Sequence, residues 1–202
     1  MDRDKHENIV SAAAKAFSRF GFKKTSIDDI AKDAGVAKGT VYLAAESKED
    51  LLYQALLHEL RAWNAQVAKL IDPRKDAFEL LMELARHGLE TLDERPLVKQ
   101  LVEGDFHALL PKWADRFDEL STMCRRNTVE VLSLGIKQGR FRDDLDVEAT
   151  ASLLMDLQVS TMVFHNRPTP DREERLLRRF AAAMSLIDSG IKGAGRRSKF
   201  AS

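Results

Sequence analysis

A single cysteine, Cys124, occurs among the 202 residues, so no disulfide can form within one molecule, and no Cys/His spacing suits a zinc site. A reducing compartment is the simple expectation. Glycine and proline are sparse, at 10 and 5 residues, while Leu, Ala, Glu, Lys and Arg dominate, which favours helices over strands. Net charge is also missing: 32 basic side chains balance 32 acidic ones. A basic excess would have pointed to nucleic acid. Its absence neither supports nor excludes that partner, because a DNA reader needs a local basic patch and not a basic chain. The start, "MDRDKHENIV", lacks the apolar run of a signal peptide. The most apolar helix candidate, 149–166, carries Asp156, Gln158 and several hydroxyls, and is not read as membrane-spanning. A cytoplasmic protein with no membrane partner is expected.

What is present can bury a core: 44% of residues are hydrophobic. The length suits one medium domain, or a small domain joined to a larger one. Ile9, Ala13, Ala16, Phe17 and Phe20 form a helical stripe that Gly21 ends. Thr25 or Ser26 caps the next segment, whose apolar face is Ile27, Ile30, Ala31 and Ala34. Residues 38–44 make a second short helix. Ser47 then caps a stripe that runs from Leu51 through Leu56, Leu60 and Trp63 to Val67. Asp72–Pro73 is expected to start another helix. Pro96 and Pro111 bound shorter ones, and a long helix is expected from about Trp113 to Gln138. Residues 146–165 are apolar nearly all round, as in a helix covered on more than one side. "NRPTP" breaks the chain, a last helix covers 171–190, and the basic tail 191–202 is expected to be disordered. The fold class is all-α, with about nine helices.

Two short helices joined by a Gly-containing turn, 26–34 and 38–44, have the geometry of a helix-turn-helix. Ala31 and Ala34 are small enough for a close crossing, and Gly35 can take the positive φ of the turn. The second helix presents Lys38, Gly39, Thr40 and Tyr42 at its start, where the helix dipole favours phosphate. Lys38 and Thr40 are candidates for base edges, and Tyr42 and Lys48 for the phosphate backbone.

From Ile9 to Leu52 the chain resembles the DNA-binding domain of the TetR family of bacterial transcriptional repressors. The resemblance rests on the Ala-rich first helix ending in Phe17, Gly21–Phe22, Thr25, Ile30–Ala31, Ala34–Gly35–Val36, Gly39–Thr40–Val41–Tyr42 and Ser47–Lys48–Glu49. It implies an all-α architecture: a three-helix reading head at 1–50, then a helical bundle at 51–190 that binds an effector and dimerises. Thr25, Ser26, Ala37, Lys38, Gly39, Thr40, Tyr42 and Lys48 are then the candidate DNA-binding residues. The implied partners are a double-stranded operator, a partly apolar small-molecule effector, and a second copy of the chain. Trp63, Phe78, Met82, Phe106, Trp113, Phe117, Met123, Gln158 and Met162 are candidates to line the effector cavity, with packing in the core the plainer alternative for each. Leu176, Phe180, Ala183 and Ile187 repeat at spacings of 4, 3 and 4, and with Leu154 are expected at the dimer interface.

The sequence departs from the family pattern at Ala44 and Ala45, where an aromatic or His and then Phe are common. A looser joint between the head and the next helix is one expectation, in which Ala45→Phe would tighten DNA binding. The other is that Tyr53, Phe20 or Phe22 fills the space. No nucleophile elbow or Gly-rich phosphate loop occurs, and His87, His107 and His165 lack metal spacing, so no enzyme, cofactor or metal is expected. The expected function is a dimeric repressor released from a pseudo-palindromic operator by a small molecule. The alternative is a small-molecule-binding helical dimer whose DNA binding is weak or lost.

Overall fold

The structure, a computed structural model, describes residues 2–165 and 172–191. Among them are nine α-helices: α1 (Arg3–Lys24), α2 (Ile27–Asp33), α3 (Lys38–Ala44), α4 (Lys48–Ala68), α5 (Ala77–Glu90), α6 (Pro96–Glu103), α7 (Phe117–Lys137), α8 (Val147–His165) and α9 (Arg172–Ile191). Short 3₁₀ helices occupy Leu92–Glu94 and Leu110–Arg116. The "NRPTP" break and the tail after Ile191 lie outside the described residues, as do the side chains of Phe117, Met162, Leu176 and Phe180.

Several boundaries differ from the sequence reading. Gly21 does not end α1. It takes φ 75 and kinks the helix, which then continues to Lys24. Phe20, the last residue of the expected stripe, is 52% exposed, with the Arg19 guanidinium over its ring. Asp72–Pro73 does not start α5. Asp72 instead accepts from the Arg74 amide at 3.0 Å in a local turn. Asp76 is the cap, accepting from the amides of Phe78 and Glu79. The long helix begins at Phe117, because residues 110–116 wind as a 3₁₀ helix.

The chain divides into two compact units, Met1–Trp63 with Leu92–Leu120, and Asn64–Thr91 with Ser121–Ser202. The first unit runs past residue 50, the boundary read from sequence, because the first half of α4 and the segment 92–120 share its core. There α1 packs against α2, α3 and α6. Ile9, Phe17, Ile30, Leu52, Leu56, Leu97 and Phe106 are essentially fully buried, at about 1.5–3 kcal/mol for each large side chain removed from water. Glu59 of α4 accepts from the amides of Leu97 and Val98 at 3.1 and 2.9 Å, satisfying orphan donors at the start of α6, where Pro96 has none to offer.

In the second unit, Gly135 in α7 makes room for the buried ring of Phe141: a Cβ there would lie 2.1 Å from it. Gln138 donates to the carbonyls of Pro73 and Lys75 and accepts from the Ala77 amide, clamping the turn before α5. Arg140 pairs with Asp76 at 3.1 Å and with Asp188 of α9. Among the described residues the expected covering of α8 is not complete. Leu153 and Leu157 of α8 and Leu186 of α9 are exposed.

Candidate nucleic-acid interface and ligand cavity

Ser26 caps α2: its hydroxyl oxygen accepts from the Asp29 amide at 3.1 Å. The C-terminal end of α2 closes with a positive φ of 66 at Gly35, while the Val36 amide donates to the Ala31 carbonyl at 2.9 Å. This turn delivers α3 with one face inward. Val41 is its single buried side chain, and no side chain caps it at Ala37. Ala37, Lys38, Gly39, Tyr42 and Leu43 are exposed, with Tyr42 at 51% and Leu43 at 77%. Thr40 is half-buried beside them.

The sequence reading did not assign Leu43. Its signal was available: in a seven-residue helix with Val41 inward, a neighbour in the same turn must face outward. An apolar side chain there suits a thymine methyl in the major groove. Thr25 is placed differently from the other candidates. It is 3% exposed and its hydroxyl donates to the carbonyls of Ala16 and Gly21, so its side chain ties the α1–α2 turn together.

Charge on this face is arranged locally. The Lys38 ammonium donates to Asp28 at 2.8 Å, which raises its pKa. Lys48, at the start of α4, holds its ammonium 4.5 Å over the Phe22 ring. Phe22 in turn packs against Phe17, with ring centroids 6.0 Å apart. These contacts orient two cations of the head while leaving Lys38 exposed.

The joint after α3 is built from polar groups. Ser47 accepts from the Asp50 amide at 3.0 Å, and Asp50 accepts from the Glu46 amide at 3.1 Å, so the return bond falls on the residue before the cap and not on the cap itself as in a capping box. Gln54, one turn on, donates to Asp50 and to the Ala44 carbonyl, both at 3.0 Å. Arg116 pairs with Asp50. Burial pulls the Asp50 pKa upward, but Arg116, the Glu46 amide and Gln54 together outweigh it and hold it below the usual range. Ala45 itself is buried. Of the residues considered as fillers, Phe20 is exposed, Phe22 lies under Lys48, and Tyr53 donates its hydroxyl to the Arg116 carbonyl at 3.0 Å.

The second unit contains a cavity of about 70 Å³ between α5, α7, α8 and α9. Leu81, Leu84, Leu154, Leu157, Ala183 and Ile187 give it apolar walls, and Thr128, Gln158 and Thr161 add polar groups. Of the effector candidates whose side chains are described, only Gln158 lines it, and Leu154, Ala183 and Ile187, expected at the dimer interface, line it too. Phe106 and Trp113 are instead packed in the first unit, 6.1 Å apart, with Tyr53 5.6 Å from Trp113. Trp63 belongs to that unit as well, while Phe78, Met82 and Met123 belong to the second without lining the cavity. Among the described residues, no group of three His, Cys, Asp or Glu side chains is placed to hold a metal. No described helix is long and apolar enough to cross a membrane.

Residues 9–55, which hold the helix-turn-helix, match the family described as bacterial regulatory proteins, tetR family. The HTH-type transcriptional repressor KstR2 of Rhodococcus jostii (strain RHA1) is 28% identical over 151 residues, covering 73% of each chain. The fatty acid metabolism regulator protein of Bacillus subtilis (strain 168) is 25% identical over 203 residues, 94% of this chain and 96% of that one. The crystal structure of a TetR-family transcriptional regulator from Pectobacterium atrosepticum superposes with a TM-score of 0.70 at 22% identity, covering 95% of this chain and 98% of that one.

Proposed function

This chain belongs to the tetR family of bacterial regulatory proteins, and we propose that it acts as a homodimeric repressor released from its operator by a small molecule. It is a DNA-binding transcriptional regulator. In the proposed reading, residues 1–50 read DNA in the cytoplasm and residues 51–190 bind the effector and dimerise. No catalytic step is assigned to it. The observation that carries the reading is the outward face of α3, where Lys38, Gly39, Tyr42 and Leu43 stand exposed on a helix anchored by Val41. Such a helix enters a major groove, and two copies related by a two-fold axis meet half-sites about 34–36 Å apart.

Exposed Leu153, Leu157 and Leu186 support a second copy of the chain as the cover for α8 and α9. The apolar walls of the cavity beside them, with Gln158 and the two threonines as polar groups, suit a partly apolar effector, and at about 70 Å³ the cavity has to widen to admit one. Release requires that the effector bind the DNA-incompetent arrangement more tightly than the competent one. Selection of duplexes from random sequence by the purified protein tests the reading. A two-fold symmetric consensus is the expected product. Recovery of no enriched sequence would contradict it.

A further inference from the structure

We propose that Asp50, Gln54 and Arg116 form a polar strap that positions the recognition helix, so that operator affinity is set in part by residues that touch no DNA. The proposal rests on the reading that α3 meets DNA, and adds positioning residues to it. The last carbonyls of a helix have no partner within the helix. In α3 the carbonyl of Ala44 finds one in the Gln54 amide, at 3.0 Å. The same nitrogen donates to Asp50 at 3.0 Å, so two acceptors fix its direction. Asp50 is fixed in turn by the Glu46 amide at 3.1 Å and by the Arg116 guanidinium.

The chain of contacts therefore runs from the 3₁₀ helix Leu110–Arg116, through the first turn of α4, to the end of α3, all inside one compact unit. Two further ties hold its far end. Lys112 pairs with Glu49 at 2.6 Å, and the Arg116 guanidinium lies 5.2 Å over the Tyr53 ring, whose hydroxyl donates to the Arg116 carbonyl. Ala45, buried at this joint, supplies no large ring of its own, and the directional hydrogen bond from Gln54 ties down the end of α3 beside it. A reading helix must be held to about 0.5 Å for its contacts to form together, which hydrogen bonds of fixed geometry achieve. The Arg116 side chain is 45% exposed and that of Asp50 13%, so solvent screens the pair from the arginine side only.

The test uses the full-length protein and a duplex selected from random sequence by the wild type. Arg116→Gln, Asp50→Asn, Gln54→Leu and the Arg116→Gln/Asp50→Asn double variant are titrated on that duplex and on a scrambled one. Each single variant is expected to lose roughly tenfold in affinity for the selected duplex and little for the scrambled one, with the double variant no worse than either single, as for members of one network. Arg116→Lys, which keeps the charge, is expected to recover part of the loss. Unchanged discrimination in folded variants, additive losses, or losses that follow the melting temperature would overturn the strap. Failure of the wild type to select any duplex would instead remove the reading beneath it.

Discussion

Lys38 and Asp28 are joined across the helix-turn-helix, with 2.8 Å between ammonium and carboxylate, although both side chains are more than half exposed. Lys38, proposed to reach a base edge, is thus held by an acid on α2. Exposed pairs of this kind add little to stability. Asp28→Asn is expected to leave the melting temperature unchanged and to strengthen binding to all duplexes, since it frees Lys38 and removes a negative charge beside phosphates. Lys38→Ala is expected to reduce discrimination between the selected duplex and its single-base variants by about five- to a hundredfold. Anisotropy titrations check both.

Gly135→Ala is expected to destabilise the protein. The added methyl would lie 2.1 Å from the Phe141 ring and 2.9 Å from Ala77, and the ring is buried. Overpacking of this kind costs about 1–3 kcal/mol. Calorimetry should show a lowered melting temperature, with part of the loss recovered when Phe141→Leu is added.

Cys124 is expected to be unreactive in the folded protein. Burial pushes its thiol up to about 11, with nearby Arg125 lowering it only in part. A raised thiol pKa means that the thiolate, the reactive form, is scarce at pH 8. A thiol reagent should modify the denatured chain rapidly and the native one slowly. Equal rates would contradict the placement.

Leu157→Asp together with Leu186→Asp is expected to give monomers. Both leucines are exposed in the single chain, at 39% and 76%, next to the apolar residues of α8 and α9. Sedimentation equilibrium of the double variant is the check, and an unchanged dimer would place the interface elsewhere.

Much of the reading head was legible because its signals are local. Gly35 takes the positive φ that its place between two short apolar faces requires, and Ser26 and Ser47 cap the helices that follow them. Boundaries failed where a distant residue decides. Asp72 and Asp76 are equally good caps by type, and Gln138 and Arg140, more than sixty residues on, clamp the turn in front of Asp76. The grouping of 92–120 with the head depends on Glu59 and Arg116 meeting partners far along the chain. The effector candidates were the least legible. Large apolar residues fill cores and line cavities alike, and Phe106 and Trp113 pack with Tyr53 while the smaller Leu, Thr and Ala residues of four helices border the cavity.

The central claim, that the exposed face around α3 and the start of α4 grips DNA, is tested most directly by the salt dependence of binding. The selected duplex and a scrambled one are titrated with wild type and Lys48→Ala at several salt concentrations. Each phosphate neutralised contributes a slope of about −0.9 in log affinity against log salt. Lys48→Ala is expected to bind both duplexes more weakly, with a slope smaller in magnitude by about 1. Identical affinities and slopes for the two proteins would contradict it.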